Sequence, residues 1–121
     1  MQLETLGKNQ EFKNLYRRGR SYVGKYVVLY VCRRQDERKR VGFTVGRKIG
    51  AAVARNRIRR RLKEIYRLLY PQLQEGYDVV IVARMRARDV PYRVLADEVE
   101  ALVHKAGLLV KEEAGAPWRR G

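Results

Sequence analysis

Cysteine and histidine are almost absent from this sequence. Its 121 residues include one cysteine, Cys32, and one histidine, His104. A single cysteine excludes an internal disulfide, and Met1 to Lys8 lacks the apolar stretch of a secretion signal. No apolar run reaches the ~18–20 residues that a membrane span needs. We therefore expect a cytoplasmic protein with no role in a membrane.

Acidic side chains are scarce in the first part of the chain. Residues 1–70 hold 20 basic and 5 acidic side chains, whereas residues 71–121 hold 8 of each, so the whole net charge of +15 lies in the first part. Arginine outnumbers lysine by 20 to 8, and its planar guanidinium suits phosphate groups better than an ammonium does. This charge favours a nucleic-acid partner, with a membrane surface or an acidic protein as the alternatives.

A catalytic constellation is also missing. His104 falls off the apolar stripe of an amphipathic helix, and Cys32 lies in an apolar strand with no histidine at a suitable spacing. No CxxC, HxxxH or DxD spacing indicates a metal site, and no GxxxxGK[ST] loop is present to bind a phosphate. We predict neither catalytic residues nor metal ligands in the protein itself.

Length and periodicity predict one α+β domain, an α-β-β-α-β-α sandwich of helices against a small sheet. We expect a single nucleic-acid-binding domain over residues 1–121, with an ordered core at about 6–110 and a frayed C-terminal tail. Strands 25–33 and 41–47 are expected to pair as a hairpin, and strand 41–47 to begin a β-α-β crossover. The predicted elements are helix 9–18, strand 25–33, strand 41–47, helix 52–69, strand 77–84 and helix 91–106.

Helix 52–69 has two faces of opposite character. Ile58 and Leu62 belong to an apolar stripe, and the opposite side carries Asn56, Arg59, Arg60, Lys63 and Arg67. Between Arg47 and Arg67 there are nine basic side chains and one acid. A merely solvated helix face usually mixes both signs in i,i+4 pairs. This face is therefore predicted to bind a polyanion.

Aromatic side chains recur near this basic segment. Phe12 and Tyr16 share one face of helix 9–18, and Tyr26 and Tyr30 share one face of strand 25–33. If the helix crosses that face of the sheet, the rings line a groove in which unpaired bases could stack. The alternative is that they belong to the hydrophobic core.

Residues 48–64, KIGAAVARNRIRRRLKE, closely resemble the signature of the bacterial ribonuclease P protein subunit. The centre of that signature is Arg55-Asn56-Arg57, followed by Arg59 and Arg60. The resemblance covers roughly residues 6–105. It also includes Phe12, Tyr16, Gly19-Arg20-Ser21, Val28-Leu29-Tyr30, Val41-Gly42-Phe43-Thr44-Val45 and 77–84.

The resemblance implies a role in removing the 5′ leader from precursor tRNA. In that family the RNA subunit carries the catalysis with Mg²⁺ ions, and the protein binds RNA. The implied partners are the catalytic RNA subunit and precursor tRNA, with no obligate protein partner. The resemblance also implies a fold shared with a ribosomal protein domain, in which the β-α-β crossover is left-handed, against the usual right-handed rule.

Matching to the family also assigns two main binding surfaces, and the charged turn 34–40 as a loop that could contact further phosphate. A groove for the single-stranded leader would include Phe12, Tyr16, Tyr30, Arg47 and Lys48. Contacts to the RNA subunit would come from Arg55, Asn56, Arg57, Arg59, Arg60, Lys63 and Arg67.

Three other functions remain open from the sequence alone. A ribosomal or other structural RNA-binding protein would show the same charge but would not need a leader groove. A helix-turn-helix DNA-binding protein would need a second helix joined by a tight turn before helix 52–69, and strands flank that helix instead. A self-sufficient nuclease would need carboxylates or a histidine in positions that the sequence does not offer.

Overall fold

The computed structural model of the chain describes residues 3–110 and residue 118. Three short 3₁₀ helices, Arg47–Ile49, Tyr70–Gln72 and Met85–Asp89, connect the longer elements. The strands and α-helices are β1 (Glu4–Thr5), α1 (Asn9–Arg18), β2 (Arg20–Val23), β3 (Val27–Arg33), β4 (Lys39–Thr44), α2 (Ala52–Leu69), β5 (Tyr77–Ala83) and α3 (Tyr92–Lys105). In the described part of the chain no helix is long and apolar enough to cross a membrane. The predicted fraying of the tail falls on residues outside the description, and the assignment of 1–121 to one domain stays a prediction.

The five strands form one sheet in the order β1-β4-β5-β3-β2. The predicted hairpin between strands 25–33 and 41–47 is wrong, because β5 lies between them, antiparallel to β3 and parallel to β4. β5 takes the centre because it is apolar on both faces, with Val79, Val80 and Ile81 all buried. The charged segment 34–38 is long enough to pass over the ~10 Å of two strand spacings.

β4, α2 and β5 form the predicted crossover between parallel neighbours, and it is left-handed. The Val41 side chain belongs to the core beneath α2, and its carbonyl accepts the N–H of Leu6, which follows β1, at 3.0 Å. For an L-residue this puts β1 to the right of β4, and β5 to the left, in a view from α2 with β4 running upward. The chain therefore steps leftward through α2, as the resemblance implied.

Helices cover both faces of the sheet. α2 and α3 pack on the larger core, which includes Ile58, Leu62 and Leu95 as fully buried side chains. α1 packs on the other face, where Leu15 joins Val80 in a smaller cluster. Helix 52–69 has the predicted bounds, and helix 91–106 is confirmed to within one residue at each end as α3.

One carboxylate of α3 fixes the turn between β2 and β3. Glu98 accepts the backbone N–H groups of Lys25 and Tyr26 at 2.7 Å and that of Val27 at 2.9 Å. Tyr26 precedes β3 and packs against the larger core, so the expectation that it shares a face with Tyr30 is wrong. Glu98 holds the Tyr26 backbone under α3, on the side of the sheet away from α1.

Candidate RNA interface

The basic face of α2 forms one shallow depression on the surface. Its volume is about 430 Å³, and it is lined by Asn56, Arg59, Arg60 and Lys63 around the side chain of Val53. Val53 is 81% exposed although it is apolar. Arg59 Nη1 donates to Asn56 Oδ1 at 3.2 Å, which orients both side chains. Four of the predicted RNA-subunit contacts therefore lie together on one face of α2, as the helical wheel predicts.

The acidic side chains of residues 1–70 leave this depression unneutralised. Four of the five form ion pairs elsewhere: Glu4 with Arg38, Glu11 with Arg40, Asp36 with Arg34 and Glu64 with Arg67. Within residues 3–110 and 118, no ion pair involves Arg59, Arg60 or Lys63. The depression therefore presents uncompensated positive charge to solvent, where a polyanion would relieve the repulsion.

The other three predicted contacts on α2 lie outside the depression. Arg67 Nη2 pairs with Glu64 Oε2 at 2.7 Å, and this hydrogen bond raises the pKa of the Arg67 guanidinium. Arg55 is half-buried, and its Nε has no hydrogen-bond partner among the described residues. Arg57 is exposed and projects to the side of the helix opposite Arg59, about 100° from Ile58. The helical wheel included Arg67, which the structure separates from the depression by its ion pair, and matching to the family included Arg57, which lies on another side of the helix.

An aromatic cleft runs between α1 and the sheet. The Tyr16 hydroxyl hydrogen-bonds Thr44 Oγ1 at 2.7 Å, and its ring meets Tyr30 edge-on with 4.9 Å between centroids. Phe12 lies over Gly42, where any Cβ would stand 2.5 Å from the ring. Tyr16 remains 38% exposed, so part of its surface is open to a ligand. The cleft, about 400 Å³, therefore combines a packed aromatic base with an accessible tyrosine.

The aromatic cleft and the basic depression are contiguous. Arg59 lines both, and Lys13 of α1 adds a further positive charge to the aromatic cleft. Thr44 lines the aromatic cleft and also a larger one of about 670 Å³, which contains Arg47 and Lys48. Four of the five predicted leader residues thus line these two adjoining clefts, whereas Tyr30 packs edge-on against Tyr16 and lines neither cleft.

A network of half-buried hydrogen bonds and ion pairs fixes the position of α1. Glu11 Oε1 accepts the backbone N–H groups of Gly7 and Lys8, each at 3.1 Å, while Oε2 accepts from Arg40 at 2.5 Å. The hydrogen bonds from Lys8 and Gly7, followed by that from Arg40, lower the pKa of Glu11 to about 2. Arg40 also binds Asp78 of β5 at 2.7 Å, so the start of α1 is tied to the centre of the sheet.

Comparison with known proteins identifies the family of this chain. The sequence model of the Ribonuclease P family matches residues 1–107. The chain is 44% identical over 110 residues to the ribonuclease P protein component of Natranaerobius thermophilus, covering 91% of this chain and 96% of that one. It belongs to the ribonuclease P protein family.

Further relatives agree in sequence and in fold. The ribonuclease P protein component of Symbiobacterium thermophilum is 45% identical over 102 residues, 84% of this chain and 89% of the relative. The structure of the Staphylococcus aureus RNase P protein superposes with a TM-score of 0.82 at 26% identity, covering 89% of this chain and 99% of that one. The chain is therefore a protein component of ribonuclease P, the ribonucleoprotein endoribonuclease of tRNA 5′ processing.

Two arginines of this ribonuclease P protein were missed by the sequence analysis. Arg84 and Arg86 line the larger cleft opposite Arg47 and Lys48. Arg84 Nη1 also donates to the Gly24 carbonyl at 2.6 Å, which holds it beside the end of β5. The sequence did contain a signal for both arginines, because they closely follow a buried strand. Side chains at the ends of neighbouring strands lie close together.

The acidic groups of residues 3–110 do not converge on a common point. Among the described residues, no three His, Cys, Asp or Glu side chains form a group that could hold a metal ion. The carboxylates of Glu11, Asp78 and Glu98 are engaged by arginines or by backbone N–H groups. Their oxygens serve the fold, and the prediction about protein-held metal remains a prediction.

Proposed function

We propose that the protein binds the 5′ leader of precursor tRNA along the aromatic cleft while the basic face of α2 contacts the catalytic RNA. The observation that carries this is the position of Arg59, which lines both surfaces. An RNA strand leaving the basic depression reaches Tyr16 without crossing an acidic region. This continuity separates a leader-binding subunit from a purely structural RNA-binding protein.

The chemistry of the cleft fits a strand of variable sequence. Tyr16 offers a ring whose hydroxyl is already bonded to Thr44, so the ring is held in place before a base arrives. Stacking on an aromatic ring contributes ~1–3 kcal/mol per base and does not depend on base identity. Arg47 and Lys48 supply charge for the phosphates in the adjoining cleft.

We further propose that Mg²⁺ is held mainly by the RNA subunit and that the protein lowers the Mg²⁺ concentration that the reaction needs. RNA subunit and substrate repel one another through their phosphates. The unpaired charge of Arg59, Arg60 and Lys63 would offset part of that repulsion where the two RNAs meet.

The test is cleavage of precursor tRNA by a bacterial ribonuclease P RNA across a Mg²⁺ titration, with and without this protein. We expect the midpoint of the titration to shift to lower Mg²⁺ when the protein is present, and we expect no cleavage by the protein alone. An unchanged midpoint would contradict the proposal. Cleavage by the protein alone would show that a catalytic group had been overlooked.

A further inference from the structure

A second basic cleft lies at the other end of the sheet from Arg47 and Lys48. Three arginines line it, Arg18, Arg20 and Arg33, together with the rings of Tyr22 and Tyr77. Its volume is about 440 Å³. We call it the arginine cleft.

Gly19 brings the three arginines together. Arg18 ends α1 and Arg20 begins β2, and a Cβ on Gly19 would lie 2.6 Å from the Leu15 carbonyl oxygen and 2.9 Å from that of Val31. The chain can therefore turn directly from α1 into β2, close against β3. Arg20 is paired with Val31, and Arg33 is two residues further along β3 on the same face, so their side chains point into the same space.

The three guanidinium groups have no counter-ion in the described structure. None of them forms a hydrogen bond or an ion pair with residues 3–110 or 118, although nearby Arg34 and Arg40 each bind carboxylates. Acids are thus placed to neutralise the arginines that fix the fold and not those that line the cleft. Three like charges in one cleft repel each other, and a bound polyanion removes that cost.

The arginine cleft shares no lining residue with the surfaces already proposed for RNA. Tyr77 begins β5 and Arg84 follows its last residue, so seven residues of extended chain, ~23 Å, separate the two clefts. Tyr22 and Tyr77 pack against the core on the α2 and α3 face, whereas Tyr30 packs on the α1 face. A base stacked on Tyr16 therefore lies on the opposite face of the sheet from the rings of Tyr22 and Tyr77.

We propose that the arginine cleft is a third RNA-binding surface, which binds the phosphodiester backbone of an RNA segment outside the leader. A guanidinium group can donate two parallel hydrogen bonds to the oxygens of one phosphate, and a base or a ribose can pack against a tyrosine ring beside it. This combination favours RNA over an acidic protein segment. The inference rests on the proposed function, because it takes the protein to work between RNA partners.

The test compares two double variants. The cleft variant carries Arg20→Gln and Arg33→Gln. The control variant carries Lys25→Gln and Arg93→Gln, which reduce the charge equally elsewhere. Dissociation constants are measured as a function of salt for ribonuclease P RNA, precursor tRNA and mature tRNA. For at least one RNA we expect the cleft variant to reduce the slope of log K against log salt by about 1–2, since each phosphate that is no longer bound removes ~0.7–0.9. The control variant should change the slope by less than half as much. An Arg20→Lys, Arg33→Lys variant should keep the slope and lose part of the affinity, because the charge remains and the paired hydrogen bonds do not.

The outcomes separate this inference from the proposed function. Weaker binding of ribonuclease P RNA alone places the segment on the catalytic RNA, and equally weaker binding of both tRNAs places it on the tRNA body. If the wild-type protein binds ribonuclease P RNA and lowers the Mg²⁺ requirement while the cleft and control variants behave alike, the third surface is refuted and the proposed function stands. If the wild type binds none of the RNAs, both are refuted. Thermal unfolding by circular dichroism checks that the variants are folded.

Discussion

The Tyr16 hydroxyl and the Thr44 hydroxyl are 2.7 Å apart, and their hydrogen bond joins α1 to the end of β4. The contact sets one edge of the Tyr16 ring, while Tyr30 sets its orientation from below. A ring held in this way loses little further freedom when a base stacks on it, so more of the stacking energy contributes to affinity. The aromatic cleft is therefore preformed at the point where α1 leaves the sheet uncovered.

Tyr16→Ala is expected to weaken the binding of precursor tRNA by the assembled holoenzyme by ~1–3 kcal/mol, the value of one stacked base. Binding of mature tRNA should be unchanged, because it has no leader. Tyr16→Phe keeps the ring and removes only the bond to Thr44, so its effect should be smaller. Dissociation constants for the two tRNAs measure this, and an equal effect on both would argue against a leader in the cleft.

Arg60→Ala combined with Lys63→Ala is expected to weaken binding of the catalytic RNA and to flatten its salt dependence. Both side chains are exposed in the basic depression and free of ion pairs within the described residues. Removal of each side chain that binds a phosphate should reduce the log–log slope by somewhat less than one. Lys25→Ala combined with Arg93→Ala removes the same charge from residues outside α2 and is the matched control. Binding of RNA by Arg60 and Lys63 is disproved if the slope of the α2 variant equals that of the wild type.

Glu11 is expected to make folding stability depend on pH in the acid range. Its pKa is about 2 in the folded protein, below the ordinary value of 4.5, because the N–H groups of Lys8 and Gly7 and the Arg40 guanidinium bind the charged form. A lowered pKa in the folded state means that the contribution is complete above pH 4.5 and disappears as the pH falls through about 2. The difference in free energy of unfolding between the wild type and Glu11→Gln should therefore be largest near neutral pH and shrink towards pH 2.

Urea unfolding at several pH values measures that difference for Glu11. Other carboxylates titrate in the same range, but they are common to both proteins and cancel in the comparison. A difference that stays constant from pH 6 to pH 2 would show that the carboxylate is not held by these hydrogen bonds.

The elements with strong periodicity were predictable, and the order of the strands was not. Helix 52–69 follows from its apolar stripe, and strand 77–84 follows from its continuous apolar run. Because β3 and β4 are close in the chain, the sequence favours their pairing as neighbours. The apolar side chains Val80 and Ile81, on opposite faces of β5, instead require β5 to lie between β3 and β4. The two-residue β1 and the mostly exposed β2 have little apolar pattern, so only the tertiary structure reveals them.

The candidate site was predictable in its residue types and only partly in its grouping. A helical wheel places Asn56, Arg59, Arg60 and Lys63 on one side, and the structure groups them in one depression. The wheel also included Arg67, because it contains no information on which side chain Glu64 will bind. The contact between Tyr16 and Thr44 joins residues 28 positions apart, so it depends on how α1 crosses the sheet.

Gly42→Ala is expected to destabilise the protein by ~1–3 kcal/mol, a typical cost of overpacking. A Cβ at this position would lie 2.5 and 2.6 Å from two Phe12 ring carbons, and α1 cannot withdraw easily because Glu11 anchors it to Arg40. Gly46→Ala is the matched control: nothing lies within 4 Å of its Cβ position and its φ of −73° suits alanine. Its effect should stay within ~0.5 kcal/mol.

A second substitution tests whether Phe12 is the cause. Phe12→Leu removes the ring carbons that the new methyl group meets, so the double variant Gly42→Ala, Phe12→Leu should be more stable than the sum of the two single effects predicts. Urea midpoints at constant slope provide the measurement. Additive effects would mean that the new methyl group does not meet the Phe12 ring, and the floor of the aromatic cleft would then be wrongly described.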